Sequence, residues 1–256
     1  MRLPLRALRA ALAALGLSVL GSVAHAGYPD KPIRLVVGFP PGQATDMIAR
    51  VVAKKLQDAL GQPVVVDNKP GAAGIIGSEI VAKSAPDGYT LLVGSSGTMA
   101  INPSLYSKLS YHPLRDFAPI SLLSVVPLFL AVNPSFPAQT AADLVKQAKA
   151  APGKINYGSG GSGVTSHLTM ELLKHAQGID LTHVPYKGSP AAVTDLIGGQ
   201  INAMIDTGPA LLPHMRTGKL RVLAVASEKR NPAAPGVPTM AEAGLGNFVA
   251  PAWVGL

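Results

Sequence analysis

Two loops rich in glycine, serine and threonine carry the residues best suited to chemistry in this chain of 256 residues. The first loop is Phe39–Asp46 and the second is Gly158–His167, and each connects a predicted strand to a predicted helix. The first N–H groups of a helix have no internal partner, and the helix dipole favours negative charge there. Glycine lets an anion approach the backbone, and hydroxyl groups add donors. The two loops therefore predict the two halves of an anion-binding site; the alternative is that both are ordinary tight connections.

The second loop also matches the dinucleotide-binding pattern G-x-G-x-x-G, at Gly158, Gly160 and Gly163. Such a site needs an acidic residue at the end of the following strand, where its carboxylate binds the ribose. Asp180 has about the right separation, but it precedes the predicted strand 181–185. The pattern is therefore a poor match to a dehydrogenase, and we expect no cofactor.

Other catalytic patterns are missing from the sequence, which has neither a G-x-S-x-G turn nor an H-E-x-x-H zinc motif. His167, His175, His183 and His214 fall on separate predicted elements without the spacing of metal ligands. Asp46 is expected to bond free N–H groups in the first turn of its helix, with direct ligand contact as the alternative. We therefore expect a binding protein without a metal, and not an enzyme.

Short apolar runs alternate with helical patterns along most of the chain. The predicted strand 33–37 leads through the first loop to a helix that ends at Gly61, and a second glycine-rich turn at 71–77 enters another helix. Further on, Thr140-Ala-Ala-Asp143 resembles a capping box that opens a helix. This alternation predicts an α/β protein whose parallel sheets are covered by helices.

One long apolar stretch, Ser121–Asn133, interrupts the alternation. It predicts a strand that leaves one sheet and enters a second, and the expected return crossing is Leu220–Ser227. Two crossings predict two lobes joined by a two-strand hinge. We assign residues 27–123 and 225–256 to lobe 1 and residues 124–224 to lobe 2.

The N-terminal segment has the three parts of a secretory leader. Arg2, Arg6 and Arg9 precede an apolar run at 10–23, and Ala24-His25-Ala26 matches a small-x-small cleavage signal. An uncleaved membrane anchor is the alternative, but the run is short and rich in alanine for a membrane span. We expect cleavage after Ala26 and export of residues 27–256 to the periplasm.

Composition narrows the classes of partner. The chain has 22 Lys and Arg against 14 Asp and Glu, and no cysteine. A positive net charge favours acidic ligands, whereas scattered cations and sparse aromatic residues argue against a nucleic-acid-binding surface. We therefore expect a small anionic ligand, most simply a carboxylate, and no disulfide or thiolate metal site.

Short motifs along the whole expected mature chain resemble the solute-binding receptors of tripartite tricarboxylate transporters, also called the Bordetella uptake gene (Bug) family. The matching segments are Tyr28–Ile33, Phe39–Gly42 with Thr45-Asp46, Pro70–Gly74 with Gly77, Pro86–Thr90, Asn102–Tyr106, Tyr157–Gly163 with His167-Leu168, Val184–Gly188, Gly198–Gln200, Gly218–Arg221 and Val237–Thr239. Each motif is weak alone, and together they are specific.

The resemblance implies a type II periplasmic-binding-protein fold, a carboxylate held between two lobes, and a membrane permease as partner; we expect a monomer. It also implies that the segment around Tyr186-Lys187-Gly188 contacts the ligand. The position of Tyr186 at a strand end, opposite the first loop, predicts that it lies at the mouth between the lobes with its hydroxyl free to donate; a half-buried surface tyrosine is the alternative. The full set of candidate ligand contacts is Phe39, Pro41, Gly42, Gln43, Ala44, Thr45, Asp46, Ser95, Ser159, Gly160, Ser162, Gly163, Ser166, His167, Tyr186, Lys187, Gly188 and Asp206.

Two departures from the family pattern matter. Gln43 stands where the family usually has a second glycine, so its side chain is expected to fill part of the pocket or to add an amide contact. The chain ends at Leu256, where family members generally continue with helices of the first lobe, so we expect that lobe to be truncated at its C-terminal part. An extracytoplasmic enzyme or a sensor subunit that acts on an acidic small molecule is the alternative function.

Overall fold

A computed structural model describes residues 27–256, and the predicted leader at 1–26 lies outside the described residues. In chain order the strands are β1 (Ile33–Val37), β2 (Val64–Asn68), β3 (Thr90–Ser95), β4 (Leu122–Val126), β5 (Leu128–Val132), β6 (Asn156–Ser159), β7 (Thr182–Pro185), β8 (Ala203–Thr207), β9 (Arg221–Val225) and β10 (Ala252–Gly255). The α-helices are α1 (Ala44–Leu60), α2 (Ile75–Ala82), α3 (Asn102–Leu105), α4 (Ala141–Ala150), α5 (Thr165–Gln177), α6 (Ser189–Ile197) and α7 (Gly208–Arg216).

The strands form two five-stranded sheets with similar plans. The first sheet has the order β2-β1-β3-β10-β4, and the second has the order β7-β6-β8-β5-β9. In each sheet three strands run parallel, and an antiparallel strand, β10 or β5, lies between the third of them and the edge strand. Parallel strands in sequence require helical crossovers, and the predicted α/β alternation supplies them.

Strand β1 contributes one face to the core of the first sheet, where Ile33, Leu35 and Val37 pack with Ala49 of α1. Helix α1 ends as predicted, because Gly61 adopts the left-handed conformation (φ 69°) and its N–H caps the carbonyl of Gln57. Small residues also let α2 approach the end of β1. A Cβ atom on Gly77 would lie 2.7 Å from the Cα atom of Gly38, so glycine is required at this contact.

The second sheet has its own apolar core, which includes Leu130, Leu144, Tyr157 and Met170. Helix α4 begins with the predicted capping box, since Thr140 Oγ1 accepts from the N–H of Asp143 and the Asp143 carboxylate accepts from the N–H of Thr140. Each sheet therefore belongs to a lobe with a separate core.

The first predicted crossing between the sheets is confirmed. Strand β4 lies at the edge of the first sheet, Pro127 follows it, and β5 lies in the second sheet. The two strands thus form one extended segment that passes from lobe to lobe.

The predicted return crossing at Leu220–Ser227 is wrong. Strand β9 pairs with β5, and Met240, Leu245 and Phe248 pack into the core of the second sheet. The N–H of Met240 donates to the carbonyl of Val225, which ties this segment to the end of β9. The chain returns to the first sheet only at β10. Most of 225–256 therefore packs with the second lobe, whereas the sequence analysis assigned this segment to the first lobe.

Within residues 27–256, none of the helices combines the length and the apolar composition needed to cross a membrane.

Candidate functional site

A cavity of about 50 Å³ lies between the two sheets. Both lobes and both crossing segments contribute to its wall. The lining residues are Phe39, Gln43, Ala44, Thr45, Ser95, Ser96, Val126, Leu128, Val164, Thr165, Ser166, Ser189, Asp206, Thr207, Ala252, Trp253 and Val254. The volume holds a few water molecules, so a solute of several carbon atoms requires the lobes to move apart.

Four helix N-termini converge on this cavity. Thr45 lies in the first turn of α1, Thr165 begins α5, Ser189 begins α6 and Thr207 caps α7. Each helix start presents N–H groups without helical partners and the positive end of a dipole. Among the described residues that line the cavity there is no Lys, Arg or His. An anion would therefore be held by backbone dipoles and hydroxyl groups.

Asp46 fixes the first loop from behind and does not line the cavity. Its buried carboxylate accepts from the N–H of Gly42 at 2.9 Å, from Asn68 Nδ2 at 2.9 Å and from Arg50 Nε at 3.0 Å. Burial alone would raise the pKa of Asp46, but the hydrogen bonds from Arg50, Gly42 and Asn68 outweigh it and lower the pKa below its ordinary value. Asp46 thus orients the loop residues that do line the cavity, and its backbone partner is the loop N–H of Gly42 and not the first-turn N–H groups that the sequence predicted.

The second loop is held mainly by its own side chains. Ser166 Oγ accepts from the N–H of Gly160 at 3.2 Å, and Ser159 Oγ donates to the carbonyl of Gly161 at 3.0 Å. His167 Nδ1 accepts from the N–H of Gly163 at 3.2 Å. Ser159, Gly163 and His167 do not line the cavity, and their contacts shape the backbone that does.

Two histidines and a tyrosine stack beneath this loop. The ring centroids of His167 and His183 are 4.1 Å apart, and those of His183 and Tyr157 are 4.9 Å apart. His183 Nε2 lies 2.7 Å from Ser159 Oγ. Burial and the neighbouring His167 lower the pKa of His183 to about 4, and burial also lowers the pKa of His167. Both rings are therefore uncharged near neutral pH.

A larger cleft of about 490 Å³ adjoins the cavity and shares Phe39 and Val164 with it. Several of the remaining predicted contacts line this cleft, namely Gly160, Ser162, Tyr186, Lys187 and Gly188. The expectation that the Tyr186 hydroxyl is free is wrong, since it donates to Asp195 Oδ2 at 2.7 Å. Burial and this carboxylate raise the pKa of Tyr186 to about 12.

Besides the contacts that line the cleft, the predicted contacts fall into two groups. The cavity is lined by Phe39, Gln43, Ala44, Thr45, Ser95, Ser166 and Asp206. Pro41, Gly42, Asp46, Ser159, Gly163 and His167 line neither the cavity nor the cleft. The polar lining residues that sequence reasoning missed are Ser96, Thr165, Ser189, Thr207 and Trp253. Thr165 lies within the second predicted loop, and Ser96 and Thr207 directly follow the candidates Ser95 and Asp206. These three residues could therefore have been predicted from their position next to the candidates.

The lobes touch each other around the cavity. Ser96 Oγ of the first lobe lies 3.3 Å from Thr165 Oγ1 of the second. Gly163 is closely packed, because a Cβ atom there would lie 2.6 Å from Leu105 Cδ2 across the interface. The two lobes therefore meet at Gly163, where an added Cβ atom would require the end of the exposed Leu105 side chain to shift.

Asp206 is the one ionisable residue among the described residues that line the cavity, and it is 3% exposed. Ser189 Oγ donates to its Oδ2 at 2.6 Å, and the N–H of Thr207 donates to its Oδ1 at 2.7 Å. Burial raises the pKa of Asp206, and these hydrogen bonds oppose the rise.

Comparison with known proteins gives a consistent result. The family model described as "Tripartite tricarboxylate transporter family receptor" matches residues 48–256. Protein BugT of Bordetella pertussis is 47% identical over 227 residues, which cover 88% of this chain and 70% of BugT.

Two solved structures are similar over most of the chain. Rpa4515 of R. palustris with adipate has a TM-score of 0.87 and 39% identity, covering 89% of this chain and 76% of that one. MatC (Rpa3494) from Rhodopseudomonas palustris with bound malate has a TM-score of 0.84 and 35% identity, covering 89% and 78%. The predicted two-lobed periplasmic-binding fold is thereby confirmed.

Proposed function

Because the chain belongs to the tripartite tricarboxylate transporter receptor family, we propose that it is a periplasmic receptor for a small carboxylate. It captures this solute between its lobes and passes it to the membrane permease of a tripartite tricarboxylate-type transporter. The adipate of Rpa4515 and the malate of MatC are both carboxylates, which supports this class of solute.

One observation carries the proposal: four helix N-termini converge on a cavity between two lobes, and only those of α6 and α7, through Ser189 and Thr207, donate to the Asp206 carboxylate. Partial positive charge at helix ends stabilises a carboxylate without a cationic side chain. Because the donors come from both lobes, a bound carboxylate would join the lobes and exclude water from the cavity. The closed form would then be the one that the permease recognises.

An enzymatic role would need a reactive group that reaches the solute. Ser159 and His183 form a pair that resembles a serine nucleophile and its base, with 2.7 Å between Oγ and Nε2. Ser159 is fully buried, however, and does not line the cavity. A histidine with a pKa of about 4 is also a weak base at neutral pH. These features favour a receptor that leaves its solute unchanged.

The test is thermal unfolding of residues 27–256 with a panel of mono-, di- and tricarboxylates that includes adipate and malate. A solute at a hundredfold excess over its Kd should stabilise the folded state by about 2.7 kcal/mol. Thr165→Val removes a cavity hydroxyl at constant size and should weaken binding by about 1 kcal/mol, roughly fivefold.

Thr194→Val is the matched control, because Thr194 lies exposed on α6 and its hydroxyl bonds only the carbonyl of Pro190. It should leave the affinity unchanged. A panel in which no carboxylate shifts the unfolding midpoint would contradict the proposed function.

A further inference from the structure

One hydrogen bond brackets the part of the second loop that lines the cavity. The N–H of Gly163 donates to Nδ1 of His167 at 3.2 Å. The three residues between them, Val164, Thr165 and Ser166, all line the cavity. The bond therefore fixes the short stretch of backbone from which Thr165 and Ser166 present their hydroxyl groups.

This bond also defines the protonation state of His167. A ring nitrogen that accepts a hydrogen bond carries no proton, so Nδ1 is bare and the ring is uncharged. A charged imidazolium carries a proton on both nitrogens, and Nδ1 would then point a donor at the N–H of Gly163. Proton uptake by His167 would therefore replace an attraction with the repulsion of two donors.

His183 favours the same uncharged state. Its ring stacks on that of His167 with 4.1 Å between the centroids, and its Nε2 lies 2.7 Å from Ser159 Oγ. Ser159 Oγ donates its single hydrogen to the carbonyl of Gly161, so Nε2 of His183 is the donor to Ser159. A proton on either ring would place positive charge against the face of the other.

The charged and titratable groups around the two rings do not replace the lost bond. Tyr157 of β6 stacks on His183, and its hydroxyl donates to Glu171 of α5. Lys174, also on α5, forms an ion pair with Glu171. Burial, opposed by Glu171 and aided by Lys174, lowers the pKa of His167. If His167 did take up a proton, Glu171 would offset part of its charge and so limit its attraction for an anion in the cavity.

We propose that His167 is a positioning residue for the solute, which holds the second loop only as an uncharged ring, so that proton uptake by His167 releases the solute. Neither His167 nor His183 lines the cavity, so the effect passes through the loop and not through direct contact. Because binding favours the uncharged ring, the solute and the proton compete with each other. This inference rests on the proposed function, since it concerns the regulation of the same cavity.

The test is isothermal titration calorimetry of residues 27–256 at pH 7 and pH 5, with circular dichroism to verify the fold at both values. The probes are adipate, malate and the member of the carboxylate panel that stabilises the protein most. Asparagine places an amide oxygen near the position of Nδ1 and takes up no proton, so His167→Asn should match the parent at pH 7 within about twofold. At pH 5 the parent should bind about threefold or more weakly than His167→Asn. Both proteins contain Asp206 and meet the same solute, so the titration of those groups cancels.

Two further variants separate the acceptor from the proton. His167→Val removes the acceptor and should weaken binding about fivefold at pH 7. His175→Asn is the matched control, because His175 is exposed at the end of the same helix. It should keep both the affinity and the pH dependence of the parent.

Nitrogen NMR of the imidazole rings gives a readout that needs no solute. At pH 7 Nδ1 of His167 should be unprotonated, and a protonated Nδ1 would overturn the inference.

The inference is also overturned if the parent and His167→Asn lose affinity equally between pH 7 and pH 5, or if the parent binds more tightly at pH 5. Either result leaves the proposed carboxylate receptor standing, since a carboxylate still binds at pH 7. Absence of binding by every member of the panel at pH 7 would instead contradict the proposed function and this inference together.

Discussion

Two buried aspartates beside the cavity behave in opposite ways. Asp46 receives hydrogen bonds from Arg50, Gly42 and Asn68, and its pKa is lowered despite burial. Asp206 has no cationic neighbour among the lining residues, and burial raises its pKa. The first therefore stabilises the fold as an anion, whereas burial disfavours the anionic form of the second.

We predict that Asp46→Asn destabilises the protein by about 1–3 kcal/mol at pH 7, because it removes a buried, charge-assisted hydrogen-bond acceptor. Since the pKa of Asp46 is lower in the folded state, its contribution is present above the ordinary carboxyl pKa and is lost as the pH falls through the folded value. Urea denaturation at pH 7 and at pH 3 measures the difference.

Asp58→Asn is the matched control on the same helix, because that carboxylate is exposed and forms only a surface ion pair with Lys54. It should change stability by less than about 0.5 kcal/mol. An equal loss in both variants would show that Asp46 does not hold the first loop.

The types of residue in the sequence predicted the general chemistry of the site, but they predicted its individual side-chain contacts less well. The first and second loops were recognised because glycine and hydroxyl residues precede helices there, and Thr45 and Ser166 do line the cavity. The fate of the Tyr186 hydroxyl could not be predicted, because its partner Asp195 lies on a different element and only the fold brings them together. Trp253 also lines the cavity, because its strand β10 directly follows the segment that crosses between the lobes.

At the scale of elements, β6, β7 and α5 are linked through the stacked rings of Tyr157, His183 and His167. The stack connects the second loop to the core of its lobe, since His167 accepts a hydrogen bond from the N–H of Gly163 and His183 contacts Ser159. Two rings 4.1 Å apart cannot both carry positive charge without strong repulsion. The loop is therefore sensitive to acid.

We predict that stability falls between about pH 6.5 and pH 4 through His183. Its folded pKa of about 4 lies below the ordinary value of 6.5, so the unfolded chain binds the proton first as the pH falls. The loss should be on the order of 1–2 kcal/mol after allowance for the partial exposure of the ring. Thermal unfolding at pH 7 and pH 5 measures it.

His183→Gln should flatten this pH dependence, whereas His175→Gln, an exposed histidine at the end of α5, should not. An identical dependence of stability on pH for the parent and His183→Gln would contradict the assignment of this loss to His183.

The order of the strands and helices, and several of their ends, could be predicted from local sequence patterns. The second crossing between the lobes could not. The glycine that ends α1 and the capping box that begins α4 act within a few residues, so the sequence records them directly. The segment after β9 has no strong helix or strand pattern, and its placement depends on Met240, Leu245 and Phe248 filling the core of the second lobe. Such a long-range choice is not encoded in a local pattern.

At the scale of the molecule, function depends on how closely the lobes meet. Gly163 has a φ of 80° and faces Leu105 and Tyr106 of the other lobe. Gly188 likewise faces Pro40, since a Cβ atom on Gly188 would lie 2.8 Å from Pro40 Cγ. These contacts set the separation of the lobes when the cavity is closed.

We predict that Gly163→Ala weakens carboxylate binding at least about tenfold, because the added methyl group holds the lobes apart. Gly178→Ala is the matched control. Gly178 also has a positive φ, of 60°, but a Cβ atom there meets nothing within 4 Å. Both variants should lose about 1 kcal/mol of stability through backbone strain, and only Gly163→Ala should lose affinity in calorimetry. Equal affinities would mean that this contact does not control closure.

The most direct test of the central claim is hydrogen exchange of residues 27–256 with and without a saturating carboxylate, read by mass spectrometry. A solute held between the lobes by helix N-termini should slow exchange in two separate peptides. One contains the start of α1 around Thr45, and the other contains the start of α5 around Ser166. Protection confined to one lobe, or to the cleft around Lys187, would contradict the account.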